Sequence, residues 1–385
     1  METTGKGSTT LRRIGKALRK GRTLSLVLLA LVLPAFFGLK LGPAAPAFAQ
    51  DREECGASEP GVAFLCGLVG VEDLILLDEG RWIVGSSLPH KAAKGPPLYL
   101  FDAAGKAAIP IAVSDIAVHP DAATFPHCPG APDFTRFASS GLGYRVEGGQ
   151  RTLYVVNYGG REAIEVFSVD MRGAKPVLQW TGCVVAPDHV FPDAVAALPD
   201  GGIVVTSLWD PLDQERFAKL GAGRPMGSLA EWHPASGWKA IGPAGLSGPN
   251  GVIASADGRT LFVAAWSGRQ ILRIDRATGA FTSVDVDFLP DNLRWGPGGA
   301  DILVGGQVAT VERALACFES AALNCDIPFT IGRVDPATLK TVEIVKRGVH
   351  GAMGAGTGAI QVGNELWVGS YRADRIARFP VDPPR

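Results

Sequence analysis

The chain has 385 residues, 46% hydrophobic and 19% charged, with 49 glycines and 28 prolines. So much apolar material excludes disorder beyond the amino-terminal end, and the length fits either one large all-β unit or two to three domains. The formal net charge is −1, but residues 1–49 hold eight basic residues and one acid; the remainder carries 29 basic against 37 acidic residues, net −8, which excludes the basic face that nucleic-acid binding needs.

Residues 1–22, "METTGKGSTTLRRIGKALRKGR", contain seven Lys or Arg and one acid. They run into an apolar stretch, 24–38, that contains Pro34 and is short of the roughly 20 residues of a bilayer span. Small residues then end in Ala47-Phe48-Ala49. This is the layout of a signal peptide with cleavage near Ala49; the alternative is an uncleaved amino-terminal anchor, the only route by which this chain is expected to meet a membrane. Arg12-Arg13 is followed by residues that fit a twin-arginine signal poorly. Export to the periplasm or the extracellular space is therefore expected for residues 50–385. The six cysteines all lie in that part, and an even count in an exported chain points to disulfides. None has zinc-site spacing. Cys317 with Cys325, within one loop, is the favoured pair, and Cys55 with Cys66 is next.

From residue 74 onward an apolar strand, a short Gly-rich turn and a second apolar strand recur six times. The copies are "LILLDEGRWIVGSS", "YRVEGGQRTLYVVN", "AVAALPDGGIVVTS", "VIASADGRTLFVAA", "LRWGPGGADILVGG" and "AIQVGNELWVGS". Their Asp-Gly, Gly-Gly and Gly-Asn turns mark hairpins. A more amphipathic pair follows each, from "LYLFDAAGKAAIPI" to the terminal "RIARFPVDPPR". Six units of four strands predict an all-β fold, a six-bladed β-propeller over 50–385. The last unit lacks a fourth strand, and "GVAFLCGLVG", 61–70, is placed to supply it and close the ring.

In a propeller the first strand of each blade lines the channel. The six starts read Glu72-Asp73, Gly143, Pro192-Asp193, Asn250-Gly251, Asp291-Asn292 and Thr357-Gly358. Carboxylates converging on the axis require a counter-charge, and a mixed carboxylate and amide oxygen set favours calcium over zinc. His90, His119, His127, His189 and His350 fall on loops of the same face and His233 does not. Among them His350, in "VHGAMGAGTGAI", precedes an inner strand most directly and is the candidate general base. Long loops over 112–142, 207–228 and 306–330 are expected to cover this face. Trp209, Trp266 and Tyr371 are positioned to meet an apolar or aromatic substrate. The run "GAMGAGTG" lacks the Lys and the strand-to-helix setting of a nucleotide loop.

"VEDLILLDEGRWIVGSSL", "LYVVNYGGREAIEVFSV", "GLSGPNGVIASADGRTLFVAA" and "LPDNLRWGPGGADILVGG" together resemble, in order, the paraoxonase/arylesterase family. The resemblance runs from about residue 70 to the carboxyl end, and extends more loosely to gluconolactonase and strictosidine synthase-like propellers. It implies that Glu72, Asn250, Asp291 and Asn292 hold a catalytic calcium, and that Asp73 and Asp193 belong to a second, structural one. Pro192 stands where the family has a calcium-binding Asn, and Ser140 and Tyr158 stand at the two histidine positions of its catalytic dyad. The expected function is an exported calcium-dependent hydrolase of small-molecule esters or lactones. A non-catalytic ligand- or partner-binding propeller with structural calcium is the alternative, and a synthase or isomerase on the same scaffold a third.

Overall fold

A computed structural model describes residues 59–381, apart from 79 and 92. The 1–49 segment and Cys55 lie outside the described residues. Six sheets follow one another along the chain, antiparallel apart from one short strand added in parallel to the second. Their first strands are Leu74–Leu77, Ser139–Glu147, Pro192–Ala197, Pro249–Ala254, Leu289–Trp295 and Gly356–Val362, and they define blades one to six. Each first strand packs against that of the next blade, and the sixth packs against the first, so the blades form a closed ring. The fold is the expected six-bladed propeller. Blade six takes its outermost strand, Ala63–Cys66, from the start of the described chain, paired antiparallel with Arg375–Pro380.

The core is divided among the blade interfaces. One apolar cluster joins blades one and two through Leu77, Leu142 and Phe167, another joins blades six and one through Ile360, Trp367 and Phe101, and four more fill the remaining interfaces. Strands buried on both faces explain the near-continuous apolar runs of the second strands, such as "TLFVAA". Blade two carries a fifth strand, Ala117–Val118, parallel to its fourth. Two disulfides are described. Cys317–Cys325 is the favoured pair, and Cys128–Cys183 fastens the long loop before blade two to that blade's outer strand. Among the described residues no cysteine is free, and no helix is long and apolar enough to cross a membrane.

Candidate functional site

The first strands share an irregularity that builds the site. In blades two to six, each gains one residue on its partner near its start: Ser139 to Leu142, Pro192 to Val195, Pro249 to Val252, Pro290 to Leu293 and Gly356 to Ala359 each span three residues opposite two. Such a bulge interrupts the alternation of faces and re-aims a side chain. The first bulged residue of each blade, with Glu72 at the equivalent place in blade one, lines one cavity. The set is Glu72, Ser140, Asp193, Asn250, Asp291 and Thr357. The second blade thus contributes Ser140, three residues before the expected Gly143, because the strand begins earlier and the bulge resets its register. Acidic and neutral side chains alternate around the ring.

In blades two, four and six the residue after the ring member is a glycine, at a place where neighbouring strands nearly touch. A Cβ on Gly251 would stand 2.4 Å from the Asp291 carbonyl oxygen, and one on Gly141 would stand 2.4 Å from that of Asp193. Since these contacts are with backbone, Gly251→Val is expected to lose about 3 kcal/mol. Urea unfolding measures it, and a wild-type midpoint would show that the strands separate freely.

Glu72 is held from three sides. Its Oε1 accepts from Asn292 Nδ2 at 2.7 Å, its Oε2 from Ser140 Oγ at 3.2 Å, and its carbonyl from Thr357 Oγ1 at 2.5 Å. Asn292 thus lies beneath the ring as the group that orients Glu72. Asp193 Oδ1 accepts from the Tyr158 hydroxyl at 2.9 Å. Burial and the neighbouring carboxylates Asp73, Asp291 and Asp193 push Glu72 well above its ordinary value. Burial likewise lifts Asp291 strongly and takes Asp193 to about 6. Two buried oxygens, Asn250 Oδ1 and Asp291 Oδ1, have no hydrogen-bond partner. Buried acceptors left unpaired are costly, and an amide and a carboxylate oxygen from adjacent blades are the donor types calcium takes. Among the described residues no three acidic, imidazole or thiol groups cluster as a ready-made metal cage. Ser140, Asn250 and Thr357 separate the acids, so a cation here would rely on amide and hydroxyl oxygens as well.

Asp73 departs from the expected second calcium. Its Oδ1 accepts from Leu74 N at 2.8 Å and its Oδ2 from Leu142 N at 2.7 Å, and it forms an ion pair with Arg294. Arg294 also donates to the carbonyls of Leu74, Leu142 and Leu293. The pair stands between the ring and a cavity of about 830 Å³ at the opposite ends of the inner strands, whose lining mixes aliphatic side chains with Arg294, Asp78, Gln361, Tyr144 and Trp295. None of the orphaned buried atoms belongs to a residue lining that larger cavity, which leaves the ring as the candidate site.

Above the ring the cavity, about 650 Å³, is walled by Trp209, Phe217, Leu220, Trp266, Phe318 and Tyr371. Two expected loops fold into helices here, α1 (Arg216–Gly221) and α2 (Val311–Glu319). Thr310 caps α2 by accepting from Arg313 N, and Val311, Ala314 and Cys317 form its buried face. Tyr371 donates to Ala314 O at 3.1 Å, Arg372 to Phe318 O, and Cys317–Cys325 closes the loop behind α2. On the other wall Tyr158 stacks on Phe191 at 4.9 Å, Phe191 on Trp209 at 4.7 Å, and Trp209 meets Phe217 edge-on at 5.5 Å.

Among the described residues no histidine lines this cavity. His350 lies between the rings of Phe329 and Phe379, with Nδ1 2.8 Å from Glu59 Oε1 and Nε2 3.0 Å from Lys346 O. It thereby fastens the closing segment to blade six, and both its nitrogens are engaged. His189 pairs with Asp210 at 2.9 Å on the surface, and His119 and His127 are exposed.

No known protein-family model matches the chain, and no curated protein sequence does. Solved structures do. A luciferin-regenerating enzyme superimposes with a TM-score of 0.50 at 12% identity, covering 82% of this chain and 95% of its own. A putative gluconolactonase gives 0.48 at 14% identity over 86% and 95%. Virginiamycin B lyase from Staphylococcus aureus gives 0.47 at 14% over 83% and 99%. At these identities the likeness is one of fold.

Proposed function

We propose that the protein is an exported calcium-dependent hydrolase of esters or lactones. The observation that carries this reading is the pair of orphaned oxygens, Asn250 Oδ1 and Asp291 Oδ1, in an acidic ring at the floor of an apolar cavity. Glu72, Asp193, Asn250 and Asp291 would hold the ion, with Asn292 orienting Glu72. Bound calcium would supply a Lewis acid for the substrate carbonyl and its developing oxyanion. The chain's own residues bind and orient: the aromatic wall takes the apolar acyl or alcohol part and excludes water around it. Among the described residues the wall carries no histidine but does carry Glu319; of the carboxylates, Asp193, held by Tyr158 and partly buried at the ring, is the base that this reading takes. The two disulfides are consistent with export.

The missing histidine also favours a second reading, a non-catalytic propeller that binds a small ligand in the same cavity. Asn250→Ala separates the two. Under the first, metal content of the purified protein falls and turnover of an aryl-ester and lactone panel drops about 100-fold or more. Under the second, the wild type shows no turnover with calcium present, and the variant loses only stability or ligand affinity.

A further inference from the structure

Gln307 ends the second strand of blade five, Ile302–Gln307, and is fully buried. Its Oε1 accepts from Trp266 Nε1 at 2.7 Å, and its Nε2 donates to Asp291 Oδ2 and to Gly356 O, each at 2.8 Å. Chemistry alone sets the orientation of this amide. An indole N–H only donates, so the amide oxygen must face Trp266 and the NH₂ must face the two acceptors. Asp291 therefore commits Oδ2 to Gln307, and Oδ1 is the atom left unpaired at the ring. Trp266 follows the second strand of blade four, and Gly356 opens the first strand of blade six, so one side chain ties three blades at the ring. Trp266 also forms part of the cavity wall.

We propose that Gln307 is the positioning residue of the ring, aiming Asp291 Oδ1 at the ligand, and that Trp266 reports through Gln307 whether that oxygen is engaged. The inference rests on the calcium reading only for the identity of the ligand. Gln307 is not itself catalytic: it acts through Asp291, and the indole sits two hydrogen bonds from the ring.

The test compares the wild type with Gln307→Leu, Gln307→Glu and Trp266→Phe by calorimetric calcium titration and by tryptophan emission. Leu keeps most of the volume and removes both polar groups. Glu keeps an acceptor for the indole but turns an oxygen toward Asp291. Both are expected to weaken calcium binding about 10–100-fold, while Trp266→Phe binds calcium and loses the emission change. In chelated protein, Asp291→Asn should shift the emission in the wild-type background and leave it unmoved in Gln307→Leu. If calcium binds the wild type and both Gln307 variants equally, the positioning role is overturned and the calcium reading stands. If the wild type takes up no calcium but the chelated coupling persists, the calcium reading falls and the positioning role stands. Lower thermal stability of the Gln307 variants with unchanged affinity and no coupling would reduce Gln307 to packing and overturn the proposal.

Discussion

Stripped of divalent cations, the protein is expected to unfold at a lower temperature at pH 7.5 than at pH 5, and calcium to close that gap. Glu72, Asp193 and Asp291 are all raised, in each case first by burial and then by neighbouring carboxylates, with hydrogen bonds from Asn292, Tyr158 and Gln307 opposing. A raised carboxyl group binds its proton more tightly in the folded chain than in the unfolded one. Stability then falls as pH rises from the unfolded value near 4 through the folded value, which for Asp193 is about 6 and for the other two is also raised. Asp193 alone accounts for a loss of about 3 kcal/mol across that window. Under the proposed function calcium would bind the ionised form, so its stabilising effect is expected to grow with pH, opposite in sign to the metal-free trend. Differential scanning calorimetry at the two pH values, with chelator and then with millimolar calcium, measures both. A metal-free midpoint that is flat across this range, or equal calcium stabilisation at both ends, would sink the idea of an acidic ring that needs a cation.

The fold was largely legible because a propeller repeats its local signals. Each blade announces its first hairpin with a Gly turn between two apolar strands, and six copies leave little room for another topology. The closing strand was legible too, since a blade one strand short must borrow one. Four ring residues, Glu72, Asp193, Asn250 and Asp291, could be picked out because acids and amides, ordinary before a single strand, recur at the same place in several blades. For blade two, counting picks Gly143 where the ring holds Ser140: the bulge between Ser139 and Leu142 changes register, and nothing in the Gly-rich run "SSGLGY" marks which residue it inserts. Helix α2 was hidden by its position in a long connection, although Thr310 followed by Val311, Ala314 and Cys317 carries a capping residue and a three-residue apolar period. What composition and spacing could not supply were partners distant in sequence. Arg294 meets Asp73 across 221 positions, and Gln307 meets Asp291 only because the first two strands of blade five pair. His350 illustrates the same limit: its place before an inner strand suggested the channel, but Glu59, 291 positions away, draws it to the closing seam.

The pairing of Asp73 with Arg294 leads to the second large effect. Both side chains are nearly inaccessible, 3% and 12% exposed, and the guanidinium donates to backbone carbonyls of Leu74, Leu142 and Leu293, in blades one, two and five. Burial raises Asp73 while Arg294 and two backbone N–H groups oppose it, so the arginine is the cation that makes this acid tolerable at the waist of the channel. Removing one member of a buried ion pair leaves the other uncompensated, at a cost of about 3–5 kcal/mol, whereas removing both is often close to neutral. Arg294→Met is therefore expected to lower stability by about that amount, and Asp73→Asn combined with Arg294→Met to recover most of it, as read by chemical denaturation in a double-mutant cycle. Losses that simply add would mean that the pair is not coupled. Arg294→Met also leaves Asp73 free within electrostatic reach of Asp193. A divalent ion then has reason to enter the waist, and equilibrium dialysis should find one more calcium per chain in this variant than in the wild type. Equal stoichiometry would mean that the waist accepts a guanidinium but not a metal, because its remaining acceptors are backbone carbonyls shaped to planar N–H groups rather than converging on a point charge.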